Sequence, residues 1–276
     1  MQPKLCILAG GGILPKILIE ACQHDGQPFY VLAFRGQADA GIVSGVPHTW
    51  VRLGGVGRIF RLLKREGISD VVMAGTMVRP SFLSLLPDLK ALGILFKLGG
   101  LGGGDNRLLS TLINELEAGG FHAVGSDEIA PDLIAKKGAY GTVMPDKTSD
   151  ADVSVAVGAA LDIGRADVGQ GAVARGGMVI ATEDRAGTNA MLARVGAGDG
   201  GVLAKTMKPG QDRRADLPTI GVETVRRAAE AGLAGIVIEA GHALVIDADA
   251  VGRAADETGL FVIGIDPTDV LNRRNG

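Results

Sequence analysis

Five apolar residues, Leu5-Cys6-Ile7-Leu8-Ala9, run unbroken into three glycines, Gly10-Gly11-Gly12, and a helical period follows from Ile13 to Ala21. A continuous apolar run of that length suits a strand buried on both faces, the setting of a parallel sheet. A glycine turn into a helix, with Pro15 tolerated in the first turn, opens a doubly wound α/β unit. The alternation then continues. Phe29 to Ala33 and Asp70 to Ala74 read as further strands, Val56 to Arg65 as a helix stopped by Gly67, and Asn106 to Ala118 as a helix stopped by Gly119-Gly120. Ligands of such sheets bind at the strands' carboxyl ends.

Past residue 130 the pattern is less regular. The stretch 131–276 holds 16 basic and 20 acidic residues, against 12 and 11 in 1–130. Pro131, Gly138, Gly141 and Pro145 punctuate the join. The expected organisation is two α/β domains: an N-terminal Rossmann-like mononucleotide-binding sheet over 1–133, a linker over 134–145, and a C-terminal α/β domain over 146–276. Within the latter, Gly171 to Arg175 and Met178 to Ala181 flank Gly176-Gly177, a hairpin signature. Asp150 to Asp162, Thr188 to Arg194, Val222 to Ala231 and Ala248 to Glu257 read as helices, and Gly235 to Ile238 and Phe261 to Ile263 as strands.

Composition closes off several classes. Net charge is −3 and only ten residues are aromatic, so neither a phosphate-tracking surface nor a base-stacking platform is expected, and nucleic acid is not an expected partner. Cys6 and Cys22 are too few for a disulfide framework or a zinc knuckle, which favours a reducing compartment. His24, His48, His122 and His242 have no metal-ligand spacing. No apolar stretch reaches the roughly 18 residues of a membrane span. P-loop and nucleophile-elbow motifs are absent. The dinucleotide fingerprint is incomplete, since Pro15 stands at its third glycine and Ala33-Phe34-Arg35 offers no ribose-binding acid, which disfavours hydride transfer.

Four segments are left to carry chemistry. Gly10, Gly11 and Gly12 are expected to present backbone N–H groups to a phosphate at a helix start. The run 99–104 holds five glycines in six residues and reads as a floppy connection or as a mobile loop closing over a ligand, with Asp105 or Asn106 capping the next helix and contacting substrate. Just upstream, Met77, Phe82, Leu83, Leu85, Leu86, Leu92, Ile94, Leu95 and Phe96 read as core or as a groove for an apolar chain. The loop Lys205 to Pro218 is the densest polar cluster. Its carboxylates Asp212 and Asp216 have the chemistry to hold Mg²⁺ or activate water, and Lys208 and Arg214 the charge to neutralise phosphate. The fourth segment, Glu183 to Met191, places Gly187-Thr188-Asn189 at a helix start as an anion cradle or a plain N-cap.

In order along the chain, Leu8-Ala9-Gly10-Gly11-Gly12-x-Leu14-Pro15, Gly75-Thr76, Gly104-Asp105-Asn106-x-Leu108-Leu109, Glu183 to Met191 and Lys208-Pro209-Gly210-Gln211-Asp212-x-Arg214-x-Asp216-Leu217-Pro218 resemble the LpxI-type UDP-2,3-diacylglucosamine pyrophosphatases of Gram-negative bacteria. The last stretch is the most specific. The family reads Glu-Gly-Thr-Asp where this chain reads Ala186-Gly187-Thr188-Asn189, so metal binding and catalysis are expected at Asp212 and Asp216. The resemblance implies Mg²⁺-dependent hydrolysis of UDP-2,3-diacylglucosamine to UMP and 2,3-diacylglucosamine 1-phosphate in lipid A synthesis, by a cytoplasmic enzyme in weak peripheral contact with the inner membrane. Substrate is then expected at Gly10, Gly11, Gly12, Thr76, Asp105, Asn106, Gly187, Thr188, Asn189, Lys208, Gln211 and Arg214. The alternative is a non-catalytic or general sugar-nucleotide binding or hydrolysing protein.

Overall fold

The computed structural model describes residues 2–77, 87–97, 105–196 and 198–274. The chain forms two compact units, one of Met1–Pro131 with Asp212–Asp216, the other of Asp132–Gln211 with Leu217–Gly276.

In chain order the first unit contains β1 (Leu5–Ala9), α1 (Leu14–His24), β2 (Phe29–Phe34), α2 (Ala40–Val43), β3 (His48–Val51), α3 (Val56–Arg65), β4 (Asp70–Ala74), α4 (Leu89–Lys97), α5 (Asp105–Ala118), β5 (His122–Val124) and α6 (Ser126–Ile129). Its sheet is wholly parallel, in the order β3-β2-β1-β4-β5. The order reverses between β1 and β4, the topological switch point of a doubly wound fold. Central β1 is buried along its whole length, which explains its unbroken apolar run. On one face, α3 sets Ile59, Phe60, Leu62 and Leu63 against Cys6, Leu8, Leu32 and Phe34. Cutting fully buried Leu63 back to alanine would cost about 2–5 kcal/mol. Cys6 and Cys22 are free and buried. Burial pushes the Cys22 thiol up to about 11 and raises Cys6 further, which disfavours the thiolate at both.

The second unit runs β6 (Gly138–Ala139), α7 (Lys147–Arg165), β7 (Gly171–Arg175), β8 (Met178–Thr182), α8 (Gly187–Val195), β9 (Val202–Lys205), β10 (Thr219–Ile220), α9 (Val222–Glu230), β11 (Gly235–Glu239), β12 (Leu244–Val245), α10 (Ala248–Thr258), β13 (Phe261–Ile265) and α11 (Pro267–Arg274). A six-stranded sheet has the order β6-β13-β11-β9-β7-β8, and β10 pairs with β12 separately. Strands β13, β11 and β9 are parallel, while β7 runs antiparallel to β9 and β8 to β7. The β7–β8 turn is Gly176-Gly177, at φ +61° and +74°, values that a two-residue hairpin of this hand requires.

Strand alternation assigns the two faces of this sheet. Ala172, Ala174, Val202 and Ala204 pack with Ala156, Val157 and Ala160 of α7, small residues that let helix and sheet approach closely. Val173, Leu203, Ile236 and Ile238 point the other way, among Met191 and Leu192 of α8, Val225 of α9 and Val251 of α10. Helix α7 is capped by Asp146, whose carboxylate accepts from Ser149 N–H, and the hydrogen bonds from Thr148 and Ser149 lower its pKa to about 2. No helix among the described residues is long and apolar enough to cross a membrane.

Candidate functional site

At the switch point the loops leaving β1 and β4 zip together through main chain. Gly10 N–H donates to Ala74 O at 2.8 Å, Gly11 N–H to Thr76 O at 2.8 Å, and Thr76 N–H returns to Gly11 O at 2.9 Å. This corrects the expectation that all three glycine amides face a phosphate, because those of Gly10 and Gly11 are already used. The glycines are there for close approach. A Cβ on Gly10 would lie 2.5 Å from Thr76 O, and one on Gly75, at φ +87°, would collide with Gly11 O. Gly12 and Thr76 are exposed, and Gly12, at φ +83°, turns the chain toward α1. Asn106 lies in the first turn of α5, its Oδ1 accepting from Ser110 Oγ at 3.4 Å. Asp105 opens α5, but its side chain, the glycine run 99–104, Phe82, Leu83, Leu85, Leu86 and the Leu95 side chain lie outside the described residues.

The loop after β9 carries its cations already paired. Lys208 Nζ meets Asp167 Oδ1 at 2.9 Å, and the lysine side chain is only 10% exposed. Arg214 donates Nε and Nη2 to Asp212 at 2.9 and 2.7 Å, and Nη1 to Glu117 Oε1 at 2.5 Å. The guanidinium holds Asp212 below the usual carboxylate range, and the two acids raise Arg214. Arg213 Nη2 bonds Asp127 Oδ2 at 2.6 Å, and Ala215 packs beside Ile113 and Ala123. Gln211 is buried, and among the described residues its Oε1 has no hydrogen-bond partner. Asp216 is exposed.

This arrangement bears on the expected Asp212–Asp216 metal pair. Among the described residues no three His, Cys, Asp or Glu side chains converge on a metal-sized site. Both oxygens of Asp212 face Arg214, with Nε at 2.9 Å from one and Nη2 at 2.7 Å from the other. As arranged, Asp212 serves the arginine, and the pair does not fit a resident cation.

In the fourth segment, α8 starts at Gly187, at φ +82°, and Asn189 is exposed on its first turn. Thr188 is not an open donor. Its Oγ1 donates to Glu183 Oε1 at 3.0 Å and accepts from Lys205 Nζ at 2.8 Å. Glu183 and Lys205, 7% and 4% exposed, were not among the expected site residues. The available signal was a charged residue closing each apolar strand run, Met178 to Glu183 and Val202 to Lys205. Glu239, at the end of β11, was missed in the same way. It accepts Met207 N–H at 2.8 Å, lies 3.4 Å from His242 Nδ1, and burial raises its pKa.

Residues 4–133 match the family model of the LpxI N-terminal domain, and residues 136–263 match that of the LpxI C-terminal domain. The chain belongs to the LpxI family. A relative from Caulobacter vibrioides, named UDP-2,3-diacylglucosamine pyrophosphatase LpxI, is 44% identical over 277 residues, covering 96% of this chain and 99% of that one. Among solved structures, an Aspergillus clavatus carboxyaminoimidazole ribonucleotide synthase complexed with ATP matches 64% of this chain and 38% of that one, at 13% identity and a TM-score of 0.24, too distant to bear on fold or function. In this LpxI chain the N-terminal match contains the glycine switch point. The C-terminal match contains Glu183, Thr188, Lys205 and the whole 208–218 loop.

Proposed function

We propose that the chain hydrolyses the pyrophosphate of UDP-2,3-diacylglucosamine to UMP and 2,3-diacylglucosamine 1-phosphate, a step of lipid A biosynthesis. The observation that carries this reading is a relative named for that pyrophosphatase, 44% identical along nearly the full length of both chains. In the reaction, water oxygen bonds one phosphorus, the bridging P–O bond breaks, and the electron pair leaves on the other phosphate. Exposed Asp216 is the carboxylate assigned to orient the water and take its proton. Arg214 supplies positive charge to the phosphoryl oxygens, and Asp212 and Glu117 hold that cation in place beforehand. The nucleotide end is assigned to Gly12, Thr76 and Asn106.

A divalent cation stays in the proposal as something the substrate brings. Mg²⁺ carried in on the substrate phosphates would offset their charge. For the acyl chains, α4 presents Leu89 and Phe96, each 89% exposed, with Leu92 on the same face. That face also supports weak peripheral contact with the inner membrane.

The test is incubation with UDP-2,3-diacylglucosamine and Mg²⁺, with chromatography for UMP. Release of UMP is expected. Binding without release would make the chain a sugar-nucleotide binding protein. UDP-N-acetylglucosamine lacks the long chains. A kcat/KM for it within about tenfold of the lipid substrate would point to a general sugar-nucleotide pyrophosphatase.

A further inference from the structure

Lys205 is the last residue of β9, and the polar loop starts immediately after it. That loop ends at Pro218, and Thr219 follows. The Lys205 ammonium, 4% exposed, donates to Thr219 O at 3.2 Å and to Thr188 Oγ1 at 2.8 Å. One side chain therefore ties the loop's entry to its exit and both to the first turn of α8. Thr188 passes the contact on, donating to Glu183 Oε1 at 3.0 Å. The direction of the chain is fixed. An ammonium only donates and an ionised carboxylate only accepts, so the threonine proton goes to Glu183 and a lone pair to Lys205.

The strand register explains how the groups meet. Gly171 of β7 lies opposite Lys205, and Glu183 N–H bonds Gly171 O at 2.8 Å, so the three form a row across neighbouring strands. Gly171 leaves the necessary space, since a Cβ there would lie 2.7 Å from Glu183 Oε2. Among the described residues Lys205 makes no ion pair, and buried Glu183 Oε2 has no hydrogen-bond partner. Apolar residues of the same volume generally stabilise a core at least as well as buried charges. A buried cation held by a hydroxyl, with its counter-charge one residue further off and half-satisfied, needs a reason other than stability.

We propose that Lys205 is a positioning residue for the 206–218 loop, oriented by Glu183 through Thr188. Its effect on rate rests on the hydrolase reading above, because it acts through the loop it holds rather than on the substrate.

The experiment uses the full chain and two readouts, amide hydrogen exchange over 206–211 and UMP release resolved into kcat and KM. Thr188→Val keeps the shape and removes the hydroxyl, whereas Thr188→Ser keeps the hydroxyl. Thr188→Val is expected to speed exchange in the loop about tenfold while the cores of β9 and α8 keep their protection. It is expected to lower kcat about thirtyfold with little change in KM, and Thr188→Ser to restore most of both. Glu183→Gln, which keeps an acceptor oxygen and removes the charge, supplies the same comparison should the valine variant fail to fold. Unchanged loop exchange would overturn the proposal. A loosened loop with wild-type kcat would overturn its bearing on the reaction. A wild-type chain that releases no UMP would defeat the hydrolase reading, and the exchange data would still decide whether Lys205 positions the loop.

Discussion

Two strand-end regions, the β1–β4 switch point and the loop after β9, are built in opposite ways. At the β1–β4 switch point the surface is main chain. Gly10 bonds Ala74, and Gly11 and Thr76 bond each other, all through backbone, and Gly10 and Gly75 leave no room for a side chain. After β9 the region is built from charged side chains, each held by a named partner: buried Lys205 by Thr188, buried Lys208 by Asp167, and Arg214 by Asp212 and Glu117. A main-chain surface has a fixed shape and little chemistry to tune. A side-chain surface can be tuned in charge and proton affinity. Damage to the first region is therefore expected to appear in folding and binding, and damage to the second in rate.

The largest effect is expected at Asp216. If the second region carries the chemistry, Asp216→Ala lowers kcat by about a thousandfold or more, roughly 4 kcal/mol of transition-state stabilisation, while the melting temperature stays close to wild type. An exposed loop carboxylate has little packing to lose. Steady-state UMP release beside a thermal melt reads both quantities. A kcat near wild type would remove the division of labour between the regions.

Next in size is the mirror-image test. Gly75→Ala puts a Cβ against Gly11 O at a backbone φ of +87°, where side chains are strained. The expected cost is about 1–3 kcal/mol of stability, read from urea midpoints, together with a raised KM. If the variant kept its stability and lost only kcat, the glycines would be part of the chemistry and the contrast would fail.

Legibility in the sequence follows the same divide. Strands β1, β2, β4, β11 and β13 are buried and read directly from apolar runs. β3 has no such run, since His48-Thr49-Trp50 are only half buried at a sheet edge, and β5, β10 and β12 are two or three residues long. Helix α4 hid itself for another reason. Leu89, Leu92 and Phe96 are exposed while Ala91 and Ile94 are buried, so apolar residues stand on both faces and the segment reads as one greasy stretch. At the sites, the glycine turn and the 208–218 loop could be located from local composition. Their partners could not, because Asp167, Glu117 and Asp127 lie 41, 97 and 86 residues from the cations they bind. Asp212 reads as a metal ligand in sequence and as an arginine partner in structure for a different reason: Arg214 is only two residues away, and only the fold shows its guanidinium turned back onto both carboxylate oxygens.

The smallest expected effect tests that last reassignment. Hydrogen bonds from Arg214 lower the Asp212 pKa, while partial burial works the other way. Removing the guanidinium in Arg214→Met should therefore return Asp212 to the ordinary carboxylate range or above it. The sign for stability follows. A carboxylate whose folded pKa lies below its unfolded value, near 3.9, contributes stability above that pH and loses it as the pH falls through the folded value. Wild type should thus lose stability relative to Arg214→Met as the solution is acidified below about pH 4. The pair is partly exposed to solvent, so at neutral pH the difference should be about 1 kcal/mol or less and should shrink with added salt. Carboxyl-carbon NMR titration gives the pKa, and urea midpoints at neutral and acid pH give the stability. An Asp212 that titrates alike in both proteins would mean that Arg214 is not its partner in solution, and the carboxylate would again be available to a cation.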